Sequence, residues 1–166
     1  MHHHLRPNIR PALLGTHAEA RFTFEELVQL TNVVKLSDED AAWLYPKKTL
    51  EETAMHILGL GAELAVITKG SSGSLLATPA TSLTIPAVKT AVLDTIGAGD
   101  SYMSALILGL ITRGTGGLAP SVLDQLGRTA ATAAAITVSR AAAARPPTED
   151  ELRAKLQHQS QLQLHP

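Results

Sequence analysis

The stretch Asp94-Thr95-Ile96-Gly97-Ala98-Gly99-Asp100-Ser101-Tyr102-Met103-Ser104-Ala105-Leu106 decides how the chain is read. It links a strand-like segment, Val88 to Leu93, to a nearly all-apolar helical run that ends at Arg113. The first turn of a helix leaves backbone N–H groups without intrahelical partners, and the helix dipole favours an anion in front of them. Gly97 and Gly99 allow positive φ and let an incoming group come close to the backbone. Gly97, Ala98 and Gly99 therefore read as an anion hole. Asp100 beside them is placed to accept the proton of a hydroxyl that attacks phosphorus. Such a base needs no raised pKa, because phosphoryl transfer rests on positioning and charge stabilisation. The bland alternative is an ordinary strand-to-helix turn with Asp100 as N-cap. Walker spacing is absent, and Gly59-Leu60-Gly61 lacks the third glycine of G-x-G-x-x-G at Leu64, which disfavours a dinucleotide-binding dehydrogenase.

Outward from that stretch the elements alternate. Thr23 with Glu26 predicts a capped helix over 23–30, Asn32 to Leu36 a buried strand, Ser37 to Leu44 a short helix stopped by Pro46, and Thr49 with Glu52 a capped helix ending at Gly59 and Gly61. Leu64 to Thr68 is an apolar run that follows this helix, the order expected of a parallel α/β sheet. Ser74 to Thr78 and Ser82 to Pro86 flank Pro79-Ala80 and predict an antiparallel excursion. Tyr102 to Arg113, apolar all round, predicts a fully buried helix. Ser121 to Arg140 predicts a long Ala-rich helix, and Thr148 with Glu151 caps a terminal one.

Composition sets the limits. A chain of 166 residues with 45% hydrophobic and 17% charged residues is suited to one packed domain. The absence of cysteine excludes disulfides, thiolate metal sites and thiol redox chemistry. With a net charge of -1 and scattered cations, no basic face exists for nucleic acid. No stretch reaches the ~20 apolar residues of a membrane span, so a cytoplasmic protein is expected. Residues 1–4 read as a short tag, residues 5–156 as the folded portion and residues 157–166 as a disordered tail. His17 and His56 read as isolated surface residues, and Lys47 and Lys48 as solvated.

D-T-I-G-A-G-D-S-Y-M-S-A-L at 94–106 resembles the C-terminal signature of the PfkB, or ribokinase-like, carbohydrate kinases. Pro7-Asn8-Ile9-Arg10-Pro11 looks like the D-P-N-x-R-P segment of fructokinase-like members, with Arg6 where the family has Asp. Val34-Lys35-Leu36-Ser37-Asp38-Glu39-Asp40 resembles the segment with N-x-x-E near magnesium and phosphates, Ser37 and Asp40 replacing the Asn and Glu. Ile67-Thr68-Lys69-Gly70-Ser71-Ser72-Gly73 is similar to the T-x-G-x-x-G nucleotide turn, and Thr137 to Arg140 to the loop that, with the Asp94 segment, holds a monovalent cation. At Ala131 the family commonly places an Asn or His near adenine, and the Ala141 to Arg145 segment lacks the usual Gly and Asn.

The resemblance implies a ribokinase-like three-layer α/β/α sandwich with a mostly parallel sheet, present here as the C-terminal half without the N-terminal half and lid. It implies an ATP-dependent sugar kinase with fructose as acceptor. Asp100 would be the base, with Gly97, Ala98 and Gly99 on the transferring phosphoryl group. Lys35, Ser37, Asp40, Thr68, Gly70, Gly73 and Thr95 would lie around the nucleotide, and Asn8 and Arg10 near the substrate. Asp40 would organise Mg²⁺ through water, and Asp94 would hold K⁺. The partners would be a nucleotide and a small sugar, without nucleic acid or membrane, in a homo-oligomer. The competing reading is a non-catalytic fragment that binds nucleotide or self-associates.

Overall fold

A computed structural model describes residues 3–7, 9, 15–113, 118–140 and 146–164. Asn8, Arg10 and Ala141 to Arg145 lie outside the described residues. One five-stranded sheet in the order β1-β2-β3-β4-β5 comprises His4–Leu5, Val33–Ser37, Leu64–Thr68, Ser74–Ala77 and Ser82–Ile85. The first three strands run parallel, and β4 and β5 extend the sheet antiparallel. The architecture is ribokinase-like α/β, with a mostly parallel open sheet.

Strand alternation sorts the side chains into two cores. Val34, Leu36, Ala65, Ile67, Leu75 and Ala77 face α1 (His17–Val28), α2 (Asp38–Leu44) and α3 (Leu50–Gly59). Val33, Leu64, Val66 and Leu76 face α4 (Ala98–Arg113) and α5 (Pro120–Val138), with Tyr102, Leu106, Leu110 and Leu123 opposite them. Full burial of each such Leu or Ile stabilises the fold by about 1.5–3 kcal/mol. A last helix, α6 (Glu149–Leu164), packs on α5.

Several expectations need correction. The first helix starts at His17, not at Thr23, because Thr16 and Glu19 form the actual capping box: the Thr16 side chain accepts from Glu19 N and the Glu19 carboxylate accepts from Thr16 N. Thr23 is an interior, exposed position of that helix. Val88 to Leu93 is not a strand. Instead the N–H groups of Leu93 and Asp94 donate to the Val138 carbonyl at 2.8 and 3.2 Å, so the segment hangs from the end of α5 rather than from the sheet. α4 is not buried all round, since Leu108 and Ile111 are 55% and 67% exposed. α6 continues through residues 157–164, assigned to a disordered tail above, because its Gln and Leu residues are good helix formers and Gln159 meets Thr132 on α5.

Candidate active site

The parallel strands deliver their C-terminal ends to one edge of the sheet. Leu5 pairs with Val34, and Ser37 with Thr68, which in turn pairs with Ser74. Arg6, Ser37, Asp40 and Thr68 therefore collect at that edge. α4 begins beside them because the Tyr102 hydroxyl lies 2.8 Å from Ser74 Oγ in the interior. Burial pushes the Tyr102 phenol up to about 12, against the opposing effect of its bond to Ser74. A second anchor joins the same turn to α5, where the Thr137 hydroxyl donates to Ser101 Oγ at 2.6 Å. Sequence reasoning missed both anchors, which join hydroxyls 28 and 36 residues apart.

The turn into α4 takes the form its glycines allow. Gly97 has φ 81°, the left-handed region that favours glycine. Ala98 N donates to the Thr95 carbonyl and Ser101 N to that of Gly97, which gives Thr95 a backbone role. The N–H groups of Gly97, Gly99 and Asp100 have no hydrogen bond among the described residues. Three donors at the positive end of a helix of 16 residues are what an anion site requires. Asp100 stands in the helix's first turn rather than at the N-cap, with its side chain 70% exposed, and forms an ion pair with Arg6.

Lys35 is 3% exposed. By alternation along β2 it shares a face with Val33, whose core is closed by α4. Desolvation, together with the charge of Arg6, lowers its pKa to about 8, and Asp40 pulls it back upward. Among the described residues its ammonium has no hydrogen-bond partner.

Asp40 is more committed than the sequence implies. Its carboxylate accepts from Ile9 N at 3.0 Å and Ser37 N at 3.2 Å, while Asp40 N donates to Ser37 Oγ. Ser37 and Asp40 thus form the capping box of α2, and Asp40 also fastens the segment that follows β1. Among the described residues no three acidic or metal-ligating side chains cluster.

The turn after β3 is closed on itself in part, the N–H groups of Gly70 and Ser71 having no hydrogen bond among the described residues. Lys69 N donates to the Gly73 carbonyl at 2.7 Å and Gly73 N to that of Gly70 at 3.2 Å. The Thr68 hydroxyl donates to the Leu36 carbonyl. A Cβ on Gly73, at φ 89°, would collide with the Ile85 carbonyl oxygen, so packing against the end of β5 already requires glycine there. Asp94 Oδ1 accepts from Ile96 N at 2.9 Å. Its segment lies next to the end of α5 through Val138, bringing together the two segments expected around a monovalent cation. Of the histidines set aside as isolated, His17 meets the Trp43 carbonyl and His56 pairs with Glu25.

Residues 1–150 match the profile of the pfkB family carbohydrate kinase. A fructokinase of Rhizobium leguminosarum bv. trifolii is 34% identical over 106 residues, covering 64% of this chain and 32% of the relative. The fructokinase of Vibrio cholerae O395, solved in a fructose, ADP and calcium ion bound form, superposes with a TM-score of 0.80 at 26% identity, covering 92% of this chain and 50% of that one. A double mutant of the same enzyme, in a fructose, ADP and potassium ion bound form, gives the same TM-score at 25% identity. The chain thus spans about half the length of these solved relatives and a third of the curated one.

Proposed function

The chain belongs to the pfkB family of carbohydrate kinases, and we propose that it supplies the phosphoryl-transfer part of an ATP-dependent sugar kinase with fructose as acceptor. The observation that carries this is the turn into α4, where three N–H groups without a hydrogen bond among the described residues and the exposed Asp100 carboxylate stand together. In the proposed reaction the sugar hydroxyl attacks the terminal phosphorus of ATP and its proton passes to Asp100. The bond from that phosphorus to the bridging oxygen breaks and ADP leaves. The donors of Gly97 and Gly99 hold the charge on the transferring group. Lys35 faces the same end of the sheet and offers a second cation to the phosphates. Mg²⁺, reached from Asp40 through water, would neutralise phosphate charge, and K⁺ near Asp94 and the end of α5 would do so at longer range. Thr68, Gly70 and Gly73 would border the nucleotide as backbone. Asn8 and Arg10 belong to the acceptor side of this reading, and a cytoplasmic setting goes with it.

Calorimetry with ATP and Mg²⁺ on the folded chain tests the site, with saturable binding expected. A folded chain that gives neither heat nor thermal shift at millimolar nucleotide overturns the reading. Orienting the acceptor and excluding water contributes roughly 7–11 kcal/mol in organised sites. The family resemblance assigns that work to segments outside these 166 residues. The chain alone is therefore expected to release little ADP in response to fructose.

The alternative of a self-associating fragment is supported by a separate observation. Val92, Leu93, Ile96, Leu108 and Ile111 are all exposed, and β1 is an open sheet edge. Such surfaces favour association. Light scattering is expected to give a dimer or larger species, and a monomer of 17.5 kDa at all concentrations removes this second reading.

A further inference from the structure

The first turn of α4 carries positive charge to excess. The Arg6 guanidinium pairs with Asp100 and also lies across the helix end, since a Cβ on Gly99 would stand 2.8 Å from its Nη2. Apart from the Asp100 carboxylate, nothing at the positive end of a helix attracts a cation. Lys35, nine-tenths buried and without a hydrogen-bond partner among the described residues, faces the same region from the sheet. Its proton affinity is lowered in part by Arg6, so the two cations feel each other. Among the described residues, two cations and a set of N–H groups without partners meet the exposed carboxylate of Asp100, while Asp40 already holds two backbone N–H groups. The arrangement suits an anion.

We infer that Arg6 reads the terminal phosphate of the bound donor: it covers the Asp100 carboxylate in the ligand-free fold and moves to the phosphate when a nucleoside triphosphate arrives, freeing Asp100 for the acceptor hydroxyl. This rests on the kinase reading above and adds a residue and an order of events to it. The exchange is physically accessible. The side chains of Arg6 and Asp100 are 29% and 70% exposed, and ion pairs in that setting are weak. A terminal phosphate offers more charge and matches the planar fork of arginine, so it outcompetes a single solvated carboxylate. The guanidinium already lies against Gly99, so the move is a side-chain rotation with no backbone change. A base covered until its donor is in place is also protected from acting on water or on an acceptor bound alone.

The test is a double-mutant cycle read by calorimetry with Mg²⁺–ATP and Mg²⁺–ADP on the folded chain, using Arg6→Gln, Asp100→Asn and the pair. Arg6→Gln is expected to weaken ATP about tenfold and leave ADP unchanged. Asp100→Asn is expected to tighten ATP about two- to fivefold, because Arg6 no longer has to leave a partner. In the Arg6→Gln background Asp100→Asn should have no effect. Arg6→Lys, which keeps the charge and loses the fork, should fall between the native chain and Arg6→Gln. Equal tightening by Asp100→Asn with and without Arg6 would mean simple repulsion between carboxylate and phosphate, and overturns the inference while leaving the kinase reading intact. Equal losses for ATP and ADP overturn it as well. Absence of binding by either nucleotide removes both readings together.

Discussion

Two glycine-bearing turns meet at the same end of the sheet and differ in where their backbone donors go. In the turn after β3 the N–H groups of Lys69, Ser72 and Gly73 bond to carbonyls of the turn itself, those of Gly70 and Ser71 have no hydrogen bond among the described residues, and Gly73 is held by the end of β5. In the turn into α4 the N–H groups of Gly97, Gly99 and Asp100 stay open. Both appear in the sequence as small residues between hydrophobic elements. A glycine pair reports freedom of the backbone, and only the fate of its donors distinguishes a structural turn from a ligand seat.

The sharpest way to separate the two turns is to damage each and watch different properties fail. In a complete kinase carrying this sequence, Asp100→Asn should lower turnover by about 10²- to 10⁴-fold while the melting temperature stays near that of the parent; a coupled ADP-release assay and a thermal scan measure both. A turnover within threefold of the parent would remove Asp100 from the chemistry. Gly73→Ala should do the reverse. It forces a side chain into a left-handed backbone position and against the Ile85 carbonyl, for an expected loss of about 2–4 kcal/mol of stability by denaturant titration. A variant as stable as the parent would remove the Ile85 carbonyl as the reason for glycine at this position.

A pH titration sharpens the comparison through Lys35, the buried cation that feels Arg6. Lys35, at about 8, is charged below that pH, so the affinity for ATP should decline as pH rises through about 8 and the lysine loses its charge. Stability should move the other way. The folded-state pKa lies below the ordinary lysine value of 10.5, so the unfolded chain binds the proton more tightly, and stability rises with pH between about 8 and 10.5. Lys35→Met should flatten both profiles. The smallest expected effect is at the remote capping box of α1, where Thr16→Ala removes the bond to Glu19 N at a cost of about 1 kcal/mol and leaves nucleotide affinity unchanged.

The elements most legible in the sequence are those with local signals. The Ser37–Asp40, Thr49–Glu52 and Thr148–Glu151 boxes mark their helices within a residue, and the apolar run 64–68 is the strand it resembles. Thr23–Glu26 has the same spacing and caps nothing, because Thr16–Glu19 starts the helix upstream. Spacing cannot rank two boxes that compete for one helix. The glycine turn and its Asp100 were legible through their motif, whereas Tyr102–Ser74 and Thr137–Ser101 were not, since a hydroxyl carries no sign of a partner so far along the chain. The pairing of Arg6 with Asp100 joins residues 94 positions apart by sequence numbering. In the sequence Arg6 was visible only as a substitution, and its meaning needed the fold.

The carbonyl of Val138 has a consequence for the length of α5. It holds the N–H groups of Leu93 and Asp94, so the coil that leads into the open glycine turn is suspended from the last residue of a 19-residue helix. Each residue of a helix contributes a rise of about 1.5 Å and a rotation of about 100°. The run Ala130 to Ala135 therefore works as a ruler as well as a packing surface. Removing one alanine would keep its apolar, helix-forming composition and still draw back and turn the acceptor away from Leu93. The count of residues from the packed alanines of α5 to Val138 is thus under the same constraint as the glycines it positions.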